Sequence, residues 1–144
     1  MSERNNANAG GDKAINLVSP MSFIENDGLS LVSPCVTIDD YDKRAFALAI
    51  YPGIGHNLTY PTLKLCGEAG EVAEKLGKVF RDSAGVIDNE TRVLMLKELG
   101  DVLWYINACA HELGSNLNEV AVMNLHKLES RAKRGVLGGS GDNR

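Results

Sequence analysis

Two short runs of the 144-residue sequence carry carboxylates at a spacing that can do chemistry. "CGEAGEVAEKLGK" (66–78) sets Glu68, Glu71 and Glu74 three residues apart, and "LKELGD" (96–101) sets Glu98 and Asp101 three apart. On an α-helix, residues three apart occupy neighbouring faces. If the two runs pack against each other, Glu68, Glu71, Glu98 and Asp101 converge on one point. Four carboxylates at close range repel one another and require compensating cations. An all-oxygen donor set suits Mg²⁺, with Mn²⁺ as a substitute. A di-iron bundle site would instead need Glu-x-x-His pairs, and neither His111 nor His126 completes one.

Helical geometry separates these acids from one another. Leu65, Ala69, Val72, Leu76, Val79 and Phe80 fall on one apolar stripe. Glu68 borders that stripe, Glu71 lies about 60° further out, and Glu74 about 120° out. Glu74 therefore reads as solvent-facing. In the second run Leu94, Met95, Leu99, Val102, Leu103 and Ile106 form an arc that contains both Glu98 and Tyr105, with Asp101 at its edge. A carboxylate in an apolar arc must be paired, protonated or bound to a metal. A salt bridge to a lysine of another helix would satisfy Glu98 alone. Two acidic pairs of matching spacing favour the metal.

The elements that must position these residues are helices. Thr37 is an N-cap for "TIDDYDKRAFALAIY" (37–51), whose first-turn aspartates suit the helix dipole. "YPGIGHN" (51–57) breaks the chain. A second helix is expected from Thr59 to about Asp82, with Pro61 tolerated in its first turn. "SAGVIDN" (83–89) reads as a loop. A third helix runs from about Glu90 to Leu113 and stops at Gly114. "SNLNEVAVMNLHKLESRAKR" (115–134) is a fourth, ending at Gly135. No segment alternates as a strand would. The fold expected over 37–135 is an all-α four-helix bundle, its core completed by dimerisation. Residues 1–36 read as an irregular, partly disordered N-terminal arm and 136–144 as a Gly-rich flexible tail. "NLVSP" and "SLVSP" recur at 16–20 and 30–34, but two copies do not make a repeat architecture.

Composition narrows the function classes. A net charge of −4 and a pI near 5.3 argue against a protein that coats a nucleic-acid polymer. Cys35, Cys66 and Cys109 form no CxxC pair, which suits a reducing, cytoplasmic setting. No apolar run approaches the roughly 18 residues of a membrane span, and the N-terminus has no apolar signal core. The tail "GVLGGSGDNR" lacks the GK[ST] of a phosphate loop, which leaves only a mobile lid bearing Asp142 or Arg144.

"GEAGEVAEKLGK" followed by "LKELGDVLWYINACA" resembles the MazG-type nucleotide pyrophosphohydrolases of the all-α NTP pyrophosphatase superfamily. Their motif is written EExxE, a spacer, then ExxD. Glu68, Glu71, Glu98 and Asp101 match four of its positions, across a 26-residue spacer at 72–97, while Gly67 stands where the first Glu would be. Members of the dCTP pyrophosphatase type also lack that Glu. The resemblance covers about residues 58–135. It implies a Mg²⁺-dependent enzyme converting a (d)NTP to (d)NMP and pyrophosphate, with the four carboxylates as metal ligands. One carboxylate can serve as general base to the attacking water; Glu71 is favoured, with Glu68 and the metal-bound water itself as competitors. The resemblance also implies a homodimer, or a tetramer built from dimers.

Several further residues are candidates for substrate contact. Lys78 and Arg81, and less strongly Lys75, could meet phosphates, although cations in a last helical turn also complement its dipole. Tyr105 lies one turn after Asp101. Asn124, Lys127 and Arg131 share a face of the fourth helix, either closing over substrate or forming a polar outer stripe. Trp104 suits a base or a subunit interface, and His56 and Tyr60 suit base reading. The alternative functions are a phosphoribosyl-ATP pyrophosphatase-like enzyme of the same fold and a non-catalytic helical interaction module.

Overall fold

Helix caps set the ends of the elements before any packing does. In the computed structural model, which describes residues 16–17 and 35–138, the order is β1 (Asn16–Leu17), α1 (Ile38–Phe46), α2 (Thr59–Asp82), β2 (Val86–Ile87), α3 (Asn89–Glu112) and α4 (Leu117–Lys133). The Thr37 hydroxyl accepts from the Asp40 amide at 3.1 Å, as expected of an N-cap. Asp88 caps α3 by accepting from the Thr91 amide, and Asn116 caps α4 by accepting from the Glu119 amide. Gly114 and Gly135 adopt φ of +70° and +69°, the left-handed conformation that ends α3 and α4 where the sequence places the stops. The remainder of the expected N-terminal arm, and the tail beyond 138 with Asp142 and Arg144, lie outside the described residues.

Two local expectations are corrected. The first helix does not reach Tyr51 but ends at Phe46, with tight bonds from Leu48 N–H to Ala45 O and from Ala49 N–H to Phe46 O closing its last turn. Pro52 keeps the helix from running through Tyr51, because the residue preceding proline is disfavoured in the α region. Tyr51 lies beyond the helix and is buried. The loop at 83–89 contains β2, which pairs in parallel with β1 through Asn16–Val86 and Leu17–Ile87. Two residues are too few to show the alternation by which a strand is recognised.

The bundle is built on α2 and α3. Thr62 faces Cys109 at 3.7 Å and Lys75 faces Glu98 at 2.7 Å, so the two helices run antiparallel. Helix α1 lies across α3: the Trp104 indole N–H donates to Ala45 O at 3.2 Å and the Asn107 amide donates to Asp42 O at 3.1 Å. Asp42, itself buried, also accepts from the Leu117 amide at 2.8 Å and meets His111 at 3.2 Å. One carboxylate thus ties α1 to α3 and to the first turn of α4, where the helix dipole favours it. The His111 ring stacks on Phe46 with centroids 3.7 Å apart.

The wide apolar arc of α3 is only partly covered. Ala108 and Ala110 are buried, whereas Leu96, Leu99 and Leu103 remain 47%, 48% and 39% exposed. Met123 and Leu125 on α4 are also exposed. Helix α4 packs on α1 and α3. Among the described residues no helix is long and apolar enough to cross a membrane.

Candidate active site

Helix α2 presents Glu68 to α3, and α3 answers with Glu98 and Asp101. One carboxylate oxygen from each of the three lies within 4.8 Å of the others. Burial differs from what periodicity alone suggests. Glu68, expected at the border of the apolar stripe, is buried, with a side chain only 12% exposed. Glu98 is 15% exposed. Asp101 stands at the solvent edge, yet burial and the nearby charges of Glu68 and Glu98 raise its carboxyl above the ordinary aspartate range, against a smaller opposing pull from Lys64.

Lysines stand beside two of these acids. Lys64 Nζ lies 3.2 Å from Glu68, one helical turn along α2. Lys75 Nζ lies 2.7 Å from Glu98 across the helix pair and 3.9 Å from Glu71. The interhelical lysine bridge expected as the structural alternative for Glu98 is therefore present. Glu98 in turn holds the Lys75 ammonium above the usual lysine range.

Glu71 departs from the expected four-carboxylate convergence. Its side chain is 54% exposed, turned to Lys75 and outside the group of three. The roughly 60° step that carries a helix from residue i to i+3 moves it off the face shared with α3. Glu74 is solvent-facing as expected, 2.7 Å from Lys78. Gly67 faces open space, with no atom within 4 Å of where a Cβ would stand, so no other side chain fills the position where the motif it resembles has its first Glu.

The aromatic residues form a wall beside the acids. Tyr105 packs edge-on against Trp104 with centroids 4.8 Å apart, and Lys64 Nζ sits 5.8 Å over its ring. Burial raises the Tyr105 phenol, and the charges of Glu68 and Asp101 add to the shift. Tyr51 stacks on Tyr60 at 5.6 Å and meets Trp104 edge-on at 6.2 Å. On the α1 side, Tyr41 is raised by burial and by the Asp101 charge. Tyr41 and Trp104 line an apolar cleft of about 330 Å³ together with Val36, Arg44, Ala45 and Leu48.

The proposed phosphate contacts are placed unevenly. Lys78 lies on the wall of a second cleft, of about 240 Å³, which Lys75, Ser83 and Thr91 also line. Arg81 is exposed and bonded to its neighbour Asp82 at 2.7 Å. Asn124, Lys127 and Arg131 sit on α4, which packs on α1 and α3. His56 is exposed in the 51–57 loop.

Two further residues belong to the site's surroundings. Lys64 carries a local sequence signal, being a lysine four positions before an acid on the same helix. Glu112 accepts hydrogen bonds from the Tyr51 hydroxyl, from the Gly55 amide at 2.9 Å and from the Asn57 amide at 2.8 Å, and so fastens the 51–57 loop behind the aromatic wall. Its signal was an acid in the last turn of a helix, where the dipole disfavours one.

Comparison with known proteins places this geometry. A family model described as the MazG nucleotide pyrophosphohydrolase domain matches residues 57–136, from the start of α2 through α4. The chain is also similar to the Gene 37 protein of Mycobacterium phage L5, 48% identical over 112 residues that span 74% of this chain and 98% of that protein. No solved structure matches the chain. The matched residues contain the whole carboxylate cluster and both helices that build it, and the chain belongs to the MazG nucleotide pyrophosphohydrolase family.

Proposed function

We propose that the protein is a Mg²⁺-dependent nucleoside triphosphate pyrophosphohydrolase that converts a (d)NTP to a (d)NMP and pyrophosphate, serving nucleotide-pool control. The observation that carries this reading is the convergence of Glu68, Glu98 and Asp101 within 4.8 Å inside a MazG domain. The donor set fits a hard divalent ion: all three ligand atoms are oxygens, they lie close enough to share one cation, and their mutual repulsion favours one. A divalent cation bound there supplies charge neutralisation for the triphosphate and activation of the attacking water.

This chain's residues supply the rest. Glu68, Glu98 and Asp101 hold the cation. Glu71, exposed beside the cluster, accepts the proton of the water that adds to phosphorus at the α–β linkage. The bridging P–O bond breaks and pyrophosphate leaves. The apolar cleft beside Trp104 and Tyr41 has the lining that a nucleobase takes. Lys78, Arg81, Tyr105, Asn124, Lys127 and Arg131 are the proposed substrate contacts. The α4 residues join them through a second copy of the chain, in a homodimer or a dimer of dimers. The open stripe of Leu96, Leu99 and Leu103 supports that assembly, because exposed leucines in a row mark a surface meant to be covered. A soluble, cytoplasmic protein suits the three free cysteines.

The Lys64–Glu68 and Lys75–Glu98 pairs favour a second reading, in which the acids are purely structural and the bundle is an interaction module. A pyrophosphate-release screen over canonical and modified (d)NTPs and phosphoribosyl-ATP, with and without Mg²⁺, separates the readings. Release that requires Mg²⁺ supports the enzyme. Absence of release together with a melting temperature indifferent to Mg²⁺ supports the module.

A further inference from the structure

Lys75 stands at a junction that its role as a partner of Glu98 does not exhaust. Its ammonium lies 2.7 Å from Glu98 and 3.9 Å from Glu71, between one member of the carboxylate cluster and the acid that the cluster leaves out. Its side chain also forms part of the wall of the 240 Å³ cleft between the end of α2 and the start of α3. That cleft carries Lys78, whose exposed pair with Glu74 at 2.7 Å is open to exchange, and the hydroxyl residues Ser83 and Thr91; its one acid, Asp82, is held by Arg81. A lysine side chain has four rotatable carbons and a compact charge, so a change of rotamer moves its head between two sites without moving the helix.

We propose that Lys75 is an exchangeable counter-cation: it neutralises Glu98 and Glu71 while the carboxylate site lacks a divalent ion, and turns into the neighbouring cleft to bind the pyrophosphate group once that ion is held. The inference rests on the metal reading given above. It follows from charge balance. An ammonium and a divalent cation cannot both sit against Glu98 at close range without strong repulsion. Displaced from Glu98, the ammonium needs a new anion, and the cleft offers space beside a second lysine for a highly charged one. The exchange also frees Glu71 from its lysine neighbour, leaving its carboxylate available to the attacking water. Lys75 thereby couples arrival of the metal to readiness for the triphosphate.

Two measurements on the full chain test this. In the first, Mn²⁺ binding is followed by electron paramagnetic resonance in wild type, Lys75→Met and Lys75→Arg, and inorganic pyrophosphate binding is followed by calorimetry at saturating Mg²⁺. Lys75→Met removes the competing charge and should bind Mn²⁺ roughly fivefold tighter, yet bind pyrophosphate about tenfold more weakly. Lys75→Arg keeps the charge and should stay near wild type in Mn²⁺ affinity. Opposite signs in the two affinities are what a fixed structural lysine would not produce. The second measurement uses wild type alone, so folding of a variant does not enter. The rate at which Lys75 is acetylated, read by mass spectrometry, should rise on addition of Mg²⁺ and fall again when pyrophosphate follows. Mn²⁺ affinity in Lys75→Met no tighter than in wild type, or a Lys75 acetylation rate indifferent to Mg²⁺ in a wild-type protein that binds the ion, overturns the exchange. A wild-type protein that binds no Mn²⁺ at all overturns the metal reading, and the exchange with it.

Discussion

Lys75 Nζ lies 2.7 Å from Oε1 of Glu98, an ion pair that crosses from α2 to α3 beside Glu68 and Asp101. It shows how the chain offsets the mutual repulsion of three carboxylates brought together by helix packing. The cluster is assembled by helix packing at an electrostatic cost, and two lysines reduce that cost without removing it. Asp101 records the remainder, its carboxyl raised by burial and by its two acidic neighbours.

That remainder has a stability consequence. A group whose folded-state value is raised contributes stability that is complete below the unfolded value, here 3.8, and is lost as pH rises through the folded one. Asp101→Asn removes the charge permanently. The metal-free variant should therefore melt a few degrees above wild type at neutral pH, with the gap closing below the ordinary aspartate range. Mg²⁺ should raise the melting temperature of wild type and leave that of Asp101→Asn unmoved. Thermal melts across pH, with a chelator or with Mg²⁺, check both statements.

Glu112 should behave in the opposite sense. Its carboxyl is held below the usual glutamate range, first by the Tyr51 hydroxyl and then by the Gly55 and Asn57 amides, with burial opposing. Such a group gives stability that is present above the unfolded value and lost as pH falls through the folded one. Glu112→Gln should lower the melting temperature by several degrees at neutral pH, and the deficit should shrink in acid. Hydrogen exchange at Gly55 and Asn57 should quicken in the variant, because those amides lose a charged acceptor.

Glu71 and Glu98 should separate kinetically. Glu98 is in the three-carboxylate group and Glu71 is outside it. Glu98→Gln should lose both Mn²⁺ affinity and turnover. Glu71→Gln should keep most of its Mn²⁺ affinity but fall in turnover by roughly 10²-fold or more, the loss expected of a missing general base. Titration of Mn²⁺ beside steady-state kinetics tests the split.

The leucine stripe of α3 gives a prediction about assembly. Leu99 is 48% exposed between Leu96 and Leu103. Placing a charge there, as Leu99→Glu, should leave the chain monomeric if the proposed homodimer forms through this stripe, with helical circular dichroism retained, because burying an unpaired charge in an apolar interface is costly. Light scattering after size exclusion measures the outcome.

Much of this architecture is legible in the sequence because it is local. Thr37 before two aspartates, Pro61 in a first turn, and Gly114 and Gly135 after apolar periodicity each mark a helix end through backbone chemistry within a few residues. The Glu68 and Glu98-x-x-Asp101 positions are legible because spacing fixes the helix face. What sequence does not disclose is set at long range or by short elements. Helix α1 ends at Phe46, short of the Tyr51 to which its apolar run extends. Strand β2 is two residues long and takes its identity from a partner some seventy residues away. Lys75 could be seen as a cation one turn from Glu71, but its bond to Glu98 depends on the register of α2 against α3. Glu112 binds a loop more than fifty residues earlier.

The central claim is that Glu98 and Asp101 complete a cation site that drives pyrophosphate release from a nucleoside triphosphate. The most direct measurement is pyrophosphate release across a (d)NTP panel by wild type, Glu98→Gln and Asp101→Asn, in Mg²⁺ and in a chelator. Wild type should release pyrophosphate in Mg²⁺ only, and both variants should release none while their helical content is retained. Full activity in either variant, or release by wild type that persists in the chelator, would contradict it.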